Sequence, residues 1–239
     1  MDNVQVIPIP IWPFGMINAH LVVGAAGLIL VDAGLPGTEA KVERVLRRIG
    51  RCYSDIKLIV ITHAHIDHAG NAARLKVLTD APIVAHKGDL AYFTGEKPMT
   101  FCATGWFGRL FFRTGAIQRA YDPFIPDILL DAKADYPLIG FGIPGSLIPT
   151  PGHTEGSISL LLESKQALVG DLVSSGVLLG GICLTHKAKR PPFEDDPARV
   201  ANHLETFVQN GATEFYMGHG GPLPHQEVER HVRALRKLA

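Results

Sequence analysis

Short apolar runs broken by glycine and proline open the chain at residues 4–9, 20–23 and 28–31, and they read as strands joined by tight turns. The period then changes. Val42, Val45, Leu46 and Ile49 recur at three- and four-residue intervals over 38–49 until Gly50, which predicts an amphipathic helix. Residues 58–61 form a continuous apolar run, expected of a strand buried on both faces, followed by a short helix over 71–78 and a strand at 83–85. Strand signals resume at 128–130, 147–149, 158–162 and 167–169. Asp196-Pro197 reads as an N-cap with proline in the first turn, opening a helix whose stripe is Val200, Leu204, Phe207 and Val208 and which ends before Gly211. A strand at 215–217 and a last helix marked by Val228, Val232 and Leu235 close the chain. Strands, helix, strand, helix therefore occur twice, with no linker composition between the halves. The expectation is one α/β domain over 1–239, a four-layer αββα sandwich with two sheets face to face and helices outside.

The segment at about 87–126 departs from this rhythm. Tyr92, Phe93, Phe101, Trp106, Phe107, Phe111, Phe112, Tyr121 and Phe124 crowd into it, half of the chain's 11 Phe, 5 Tyr and 2 Trp, with Arg109, Arg113 and Arg119 among them. It reads as a helical insertion whose aromatics complete a core. It reads equally as a lid or wall over an active site, or as a self-association surface that would make a homodimer, since aromatic residues and arginine are favoured in such places.

Composition narrows the function classes. At 239 residues, 46% hydrophobic and 19% charged, the chain is long and apolar enough to bury a sizeable core. Lys plus Arg and Asp plus Glu both number 23, so overall charge offers no reason to expect a nucleic acid or an anionic membrane as partner. Cys52, Cys102 and Cys183 are odd in number and form no metal-like pair, and they read as reduced, buried thiols. The amino-terminal stretch shows no secretory pattern and no run reaches membrane-spanning length, so a soluble, cytoplasmic protein is expected.

The chemistry concentrates at 60–70, Val-Ile-Thr-His-Ala-His-Ile-Asp-His-Ala-Gly. His63, His65, Asp67 and His68 follow directly on the 58–61 strand, and imidazole and carboxylate are the usual ligands of zinc and other first-row metals. A solvated His-rich turn is the bland alternative, and three histidines with an aspartate at this spacing disfavour it. Three further positions stand at the ends of expected strands: His153 in Pro-Gly-His-Thr-Glu-Gly-Ser, Asp171 after Gly170, and His219 between glycines. Each alone reads as a cap or a turn. Together they supply five histidines and two carboxylates, too many donors for one tetrahedral ion and about right for two ions sharing a bridge.

On these residues the chain resembles the metallo-β-lactamase-fold hydrolase superfamily, from the turn at Asp32 to the turn at Gly218-His219-Gly220. The superfamily's His-x-His-x-Asp-His motif matches His63, His65, Asp67 and His68. The resemblance implies an αββα sandwich with a two-metal site at one edge of the paired sheets. By it, His63, His65 and His153 would hold one ion, Asp67, His68 and His219 the other, and Asp171 would bridge both. Asp32 matches an acidic position that braces the metal-binding loops; its simpler role is to cap the turn into helix 38–49.

The resemblance implies two divalent ions, zinc first and iron or manganese as alternatives, and a hydrolase that attacks a small ester, thioester or lactone with a bridging hydroxide that Asp67 helps to orient. Asp171 favours the hydroxyacylglutathione hydrolase and lactonase branches, whereas Leu172-Val173-Ser174 departs from the tyrosine that acyl-homoserine lactonases carry after the bridging aspartate. β-Lactamase activity and an iron-dependent oxidoreductase of the persulfide dioxygenase type are the alternatives. The aromatic segment suggests a small-molecule substrate with an apolar portion. Ser157, Ser174 and Ser175 read as structural, although Ser174 or Ser175 is a candidate to line the pocket, and His20 and His186 are candidates to approach it. His86, His203, His225 and His231 read as surface groups.

Overall fold

Two six-stranded sheets carry the fold in the computed structural model, which describes residues 4–131 and 134–238. The first three residues of the stretch read for a leader lie outside the described residues. The first sheet runs β1 (Gln5–Trp12), β2 (Ile17–Val23), β3 (Leu28–Val31), β4 (Ile56–Val60), β5 (Ile83–His86) and β6 (Ile128–Leu130) in that spatial order. Antiparallel pairing joins the first three strands, and parallel pairing the rest. The second sheet contains β7 (Tyr136–Pro137), β8 (Gly145–Pro149), β9 (Ile158–Leu162), β10 (Gln166–Leu168), β13 (Glu214–Tyr216) and β14 (Leu223–Pro224) in the spatial order β14-β13-β10-β9-β8-β7, with the one parallel pair, β10–β13, next to the β14 edge. A small hairpin of β11 (Ser174–Ser175) and β12 (Ala188–Lys189) lies between β10 and β13 in the chain.

Alternation along the strands builds the layers. Ile29, Val31, Leu58 and Val60 join Leu147, Leu160, Leu162 and Leu168 in a core between the sheets. Their neighbours Leu28, Leu30, Ile59 and Ile61 point the other way, onto Val42 and Leu46 of α1 (Glu39–Arg48) and Leu75 of α3 (Ala72–Thr79). On the far side, Ala167, Val169 and Phe215 pack on α6 (Pro197–Gln209) and α7 (His225–Leu235) through Val200, Leu204, Phe207, Val228 and Val232. The result is the four-layer αββα sandwich.

Several boundaries differ from the sequence reading for identifiable reasons. The first strand continues through Pro8 and Pro10 to Trp12, which is tolerated because β1 is an edge strand and needs no amide donor on its free side. Asp196 does cap α6, its carboxylate accepting from the amides of Ala198 and Arg199. The four-residue helix α2 (Ile66–Ala69) inside the histidine cluster is too short to carry an apolar period. Between β5 and β6 lie α4 (Leu90–Phe93) and α5 (Gly105–Arg113), with Trp106 and Leu110 exposed and Phe93 and Phe124 in the core.

Burial corrects two expectations. Cys52, Cys102 and Cys183 are exposed, free thiols, because each falls in a connecting segment and such segments run over the surface. His86 and His231 are buried instead of exposed: His86 closes β5, an interior strand flanked by β4 and β6, and accepts from the amide of Gly88, and His231 is buried on α7. Among the described residues no helix is long and apolar enough to cross a membrane.

Candidate metal centre

The parallel and antiparallel strands end at a common edge, and the loops leaving them converge there. The turn after β4 presents His63 and His65, and α2 then carries Asp67 and His68 on consecutive positions. The turn between β8 and β9 supplies His153, the turn after β10 supplies Asp171, and the turn after β13 supplies His219. All seven side chains are buried. Their donor atoms form two groups, one of His63, His65, His153 and Asp171 and one of Asp67, His68 and His219.

In the first group, Nε2 of His63, Nδ1 of His65 and Nε2 of His153 form a triangle with 3.1 Å sides. Three nitrogens bound tetrahedrally to a zinc-sized ion at about 2.05 Å lie about 3.3 Å apart, so the triangle has the size such an ion requires. In the second group, Nε2 of His219 is 3.3 Å from Oδ2 of Asp67, and Nε2 of His68 is 3.9 Å from the same oxygen. Asp171 stands between the groups: Oδ2 is 3.0 Å from His219 Nε2 and 3.8 Å from His153 Nε2, and Oδ1 is 3.4 Å from His68 Nε2.

The donor chemistry fits divalent cations. Oδ1 of Asp67, Oδ1 of Asp171 and Nε2 of His68 are buried without a hydrogen-bond partner, although a lone buried polar atom is costly. Burial, aided by the neighbouring His68, holds His63 well below the usual imidazole range, burial does the same to His65, and burial lowers His153 to about 4. These three imidazoles therefore stay neutral with lone pairs available. The second group has the opposite character. Burial opposes charge on His219 and His68, yet Asp171 and the other carboxylates raise His219 to about 10 and His68 well above its ordinary value. Burial would also raise Asp67 and Asp171, but His68 and His219 pull Asp67 down to about 2 and hold Asp171 well below the usual carboxylate range. Fixed negative charge at this depth attracts a cation.

Residues behind the donors set their orientation. Oδ2 of Asp32 lies 2.7 Å from Nδ1 of His68, and its other oxygen accepts from the amide and the hydroxyl of Thr62 at 2.8 and 2.9 Å. That contact places the Nδ1 proton of His68 toward Asp32 and leaves Nε2 for the centre. The carbonyl of Met16 does the same for His219, 2.5 Å from Nδ1. Asp32 takes a left-handed φ of 64°, an uncommon conformation outside glycine that aims its carboxylate under the loop. Gly218 is required by proximity: a Cβ there would lie 2.3 Å from Cε1 of His68 and 2.5 Å from Oδ1 of Asp171.

Two contributors had little or no sequence signal. Asp89 is buried behind the first group, where Oδ2 accepts from the amide of Ala64 and the hydroxyl of Thr154, both at 2.9 Å, and Oδ1 from the amide of Gly156 at 2.8 Å. It thereby ties the His63–His65 turn to the His153 turn. Nothing near Lys87-Gly88-Asp89 marks it as different from an ordinary turn. The Met16 carbonyl is a main-chain group and leaves no trace in residue type.

Other candidates lie elsewhere. His20 is buried on β2 with its ring edge-on to Tyr216 at 5.7 Å, and it lines a separate cavity of about 280 Å³. His186 is exposed in the loop ahead of β12 and lines neither cavity beside the donors. Ser174 is buried on β11, its hydroxyl directed at the carbonyl of Lys189. Ser175 accepts from the amide of Gly221, and Ser157 from the amide of Thr154, so both serve the backbone.

The aromatic segment forms part of the wall. Phe101 stacks on the ring of His65 at 5.0 Å, Phe193 meets it edge-on, and the Tyr121 hydroxyl donates to the Ala64 carbonyl. Two cavities open beside the donors on either side of Ile66 and Ile117. The smaller, about 520 Å³, has Asp67 in its wall with Trp12, Ile17, Leu35 and Phe111. The larger, about 1010 Å³, runs past Ala64, Phe101 and Tyr121.

Comparison with known proteins agrees with this geometry. Residues 12–238 match the model of the metallo-beta-lactamase superfamily. The chain is 28% identical over 153 residues to the probable metallo-hydrolase YflN of Bacillus subtilis, a match covering 61% of this chain and 55% of that protein. It is 29% identical over 189 residues to the hydroxyacylglutathione hydrolase GloC of Haemophilus influenzae, covering 70% of this chain and 77% of the relative. In fold it is similar to the metallo-beta-lactamase family protein TTHA1429 of Thermus thermophilus, with a TM-score of 0.68, 21% identity, and coverage of 98% of this chain and 79% of that one. The donor set at the sheet edge, the αββα layers and the match along nearly the whole chain lead to one conclusion: the protein belongs to the metallo-beta-lactamase superfamily.

Proposed function

We propose that the protein is a hydrolase dependent on two divalent metal ions, most simply zinc, which cleaves an ester, thioester or lactone bond in a small substrate with an apolar portion. One observation carries the reading: seven buried donors fall into two sets, and the carboxylate of Asp171 reaches across both. His63, His65 and His153 would hold one ion, Asp67, His68 and His219 the other, with Asp171 between them. Bound there, the ions would supply Lewis acidity and a water ionised near neutral pH.

The chain's own residues do the rest. Asp67 has one oxygen directed at His219 and its other oxygen, Oδ1, unpartnered. That free oxygen accepts a hydrogen bond from the attacking water and aims it at the carbonyl. The water's ionisation releases its proton to solvent, and the departing alkoxide or thiolate takes one from solvent as the acyl–oxygen or acyl–sulfur bond breaks. Ile66, Ile117 and Trp12 exclude bulk water and bind the apolar portion of the substrate. A bridging carboxylate and the similarity to GloC support ester or thioester cleavage over the other chemistries of the superfamily. The exposed free thiols favour a reducing, cytoplasmic setting.

Elemental analysis of the purified protein, with a panel of thioesters, lactones and β-lactams, tests the proposal. Two metal equivalents and turnover of a thioester or lactone are expected, with loss of at least a hundredfold in His63→Ala. One equivalent of iron with oxygen uptake, or turnover of β-lactams alone, would overturn it.

A further inference from the structure

The chain carries equal numbers of acidic and basic residues, yet the cleft beside the donors is not neutral. Arg119 lies in the wall common to both cavities, and Lys97 lines the larger one. Among the residues lining the two cavities no acidic group occurs except Asp67, which belongs to the donor cluster. Neither Arg119 nor Lys97 pairs with a carboxylate among the described residues, in contrast to Arg190 with Glu194 and Arg230 with Glu227. Arg119 directly follows a single helical turn whose Ile117 is buried, so its backbone is fixed while its guanidinium stays exposed and free.

We propose that Arg119, with Lys97 in the wall of the same cavity, is a specificity-determining site for an anionic group on the substrate's leaving portion. This deepens the hydrolase reading and rests on it. The acyl portion occupies the 520 Å³ cavity, where Trp12, Ile17, Leu35 and Phe111 meet Asp67, because apart from Asp67 and Arg119 the residues around that cavity are apolar. The leaving portion then extends past Arg119, which borders both cavities, into the 1010 Å³ cavity that Lys97 lines. The substrate class is a thioester or ester of an apolar acid whose thiol or alcohol carries a carboxylate or phosphate. A guanidinium suits either anion through a planar, two-pronged, charge-assisted contact, and one such contact is worth about a tenfold preference.

Paired substrates test this: the octanoyl thioester of mercaptosuccinate, which is anionic, and that of the neutral 2-mercaptoethanol. The wild-type protein is expected to prefer the anionic thioester at least tenfold in kcat/KM. Arg119→Gln is expected to lower kcat/KM at least tenfold more for the anionic substrate than for the neutral one, through KM, and Arg119→Lys to restore part of it. Lys97→Gln is expected to produce a smaller loss in the same direction, and 0.5 M salt to narrow the preference. Equal kcat/KM for the two thioesters, or an equal loss on both in Arg119→Gln, would overturn the proposal. If neither thioester is cleaved, the hydrolase reading fails on its own, and binding decides the inference. Trp12 lines the acyl cavity, so in a Trp106→Phe background its fluorescence reports occupancy. At least tenfold tighter binding of the anionic thioester, lost in Arg119→Gln, supports the site; equal affinity overturns it.

Discussion

Asp32 and His68, 36 residues apart in the chain, meet at 2.7 Å beneath the metal-binding edge, with Asp32 held in a left-handed conformation that few residues adopt. The contact assigns the imidazole's proton to Nδ1 and its lone pair to the centre. Replacing Asp32 by Asn keeps a residue that tolerates this backbone conformation while removing the negative charge. Metal affinity at the half-site of Asp67, His68 and His219 is expected to fall 10- to 100-fold, with the other half-site less affected. Competition titration with a chromophoric chelator resolves the two sites, and two unchanged affinities would refute the orienting role.

Gly218 passes so close to His68 and Asp171 that any side chain must displace one of them. Gly218→Ala is expected to bind fewer than two metal equivalents and to lose most hydrolytic activity while its far-ultraviolet circular dichroism stays near that of the wild type. Full metal content with full activity would show that the loop shifts without consequence.

Removing metal should expose the cost of the clustered charges. Once the ions leave, Asp67 and Asp171 are compensated only by protonation of His68 and His219, and the melting temperature is expected to fall and to recover on adding zinc. Differential scanning calorimetry with and without a chelator measures this.

Glu194 gives a pH dependence away from the centre. Burial, only partly offset by Arg190 at 2.6 Å, raises its carboxyl to about 7, and Oε1 has no partner. A raised folded-state value means stability that is fully present below the unfolded value near 4.5 and is lost as pH climbs through 7. Relative to Glu194→Gln, the wild type is therefore expected to lose up to about 3 kcal/mol of unfolding free energy between pH 4.5 and 8. Urea titrations of both proteins across that range provide the comparison, and a constant difference would contradict the assignment.

Leu46 anchors α1 on the outer face of the first sheet and is fully buried. Leu46→Ala is expected to destabilise by about 2–5 kcal/mol, because a lost isobutyl group leaves a cavity that a packed layer does not refill. Chemical denaturation tests it, with metal content expected to stay intact.

The apolar pattern by itself pointed to the layers, since short apolar runs such as Leu28-Ile29-Leu30-Val31 read as strands and the helical period through Val42, Val45 and Leu46 reads as a helix packed against them; the fold decided which strand residues face the helices and which the second sheet. Residue type likewise exposed His63, His65, Asp67, His68, His153, Asp171 and His219, because imidazole and carboxylate at strand ends are chemically conspicuous. Tertiary structure alone decided that their donor atoms converge, since the contacts join residues as far apart as His63 and His153. It also decided the groups behind them. Asp89 looks like any turn aspartate until Ala64, Thr154 and Gly156 close around it, and the Met16 carbonyl has no side chain to betray it. Burial of His86 and His231 and exposure of the three cysteines followed the same rule. A periodic pattern records local geometry, whereas the environment of a single polar side chain is set by segments that the fold brings to it.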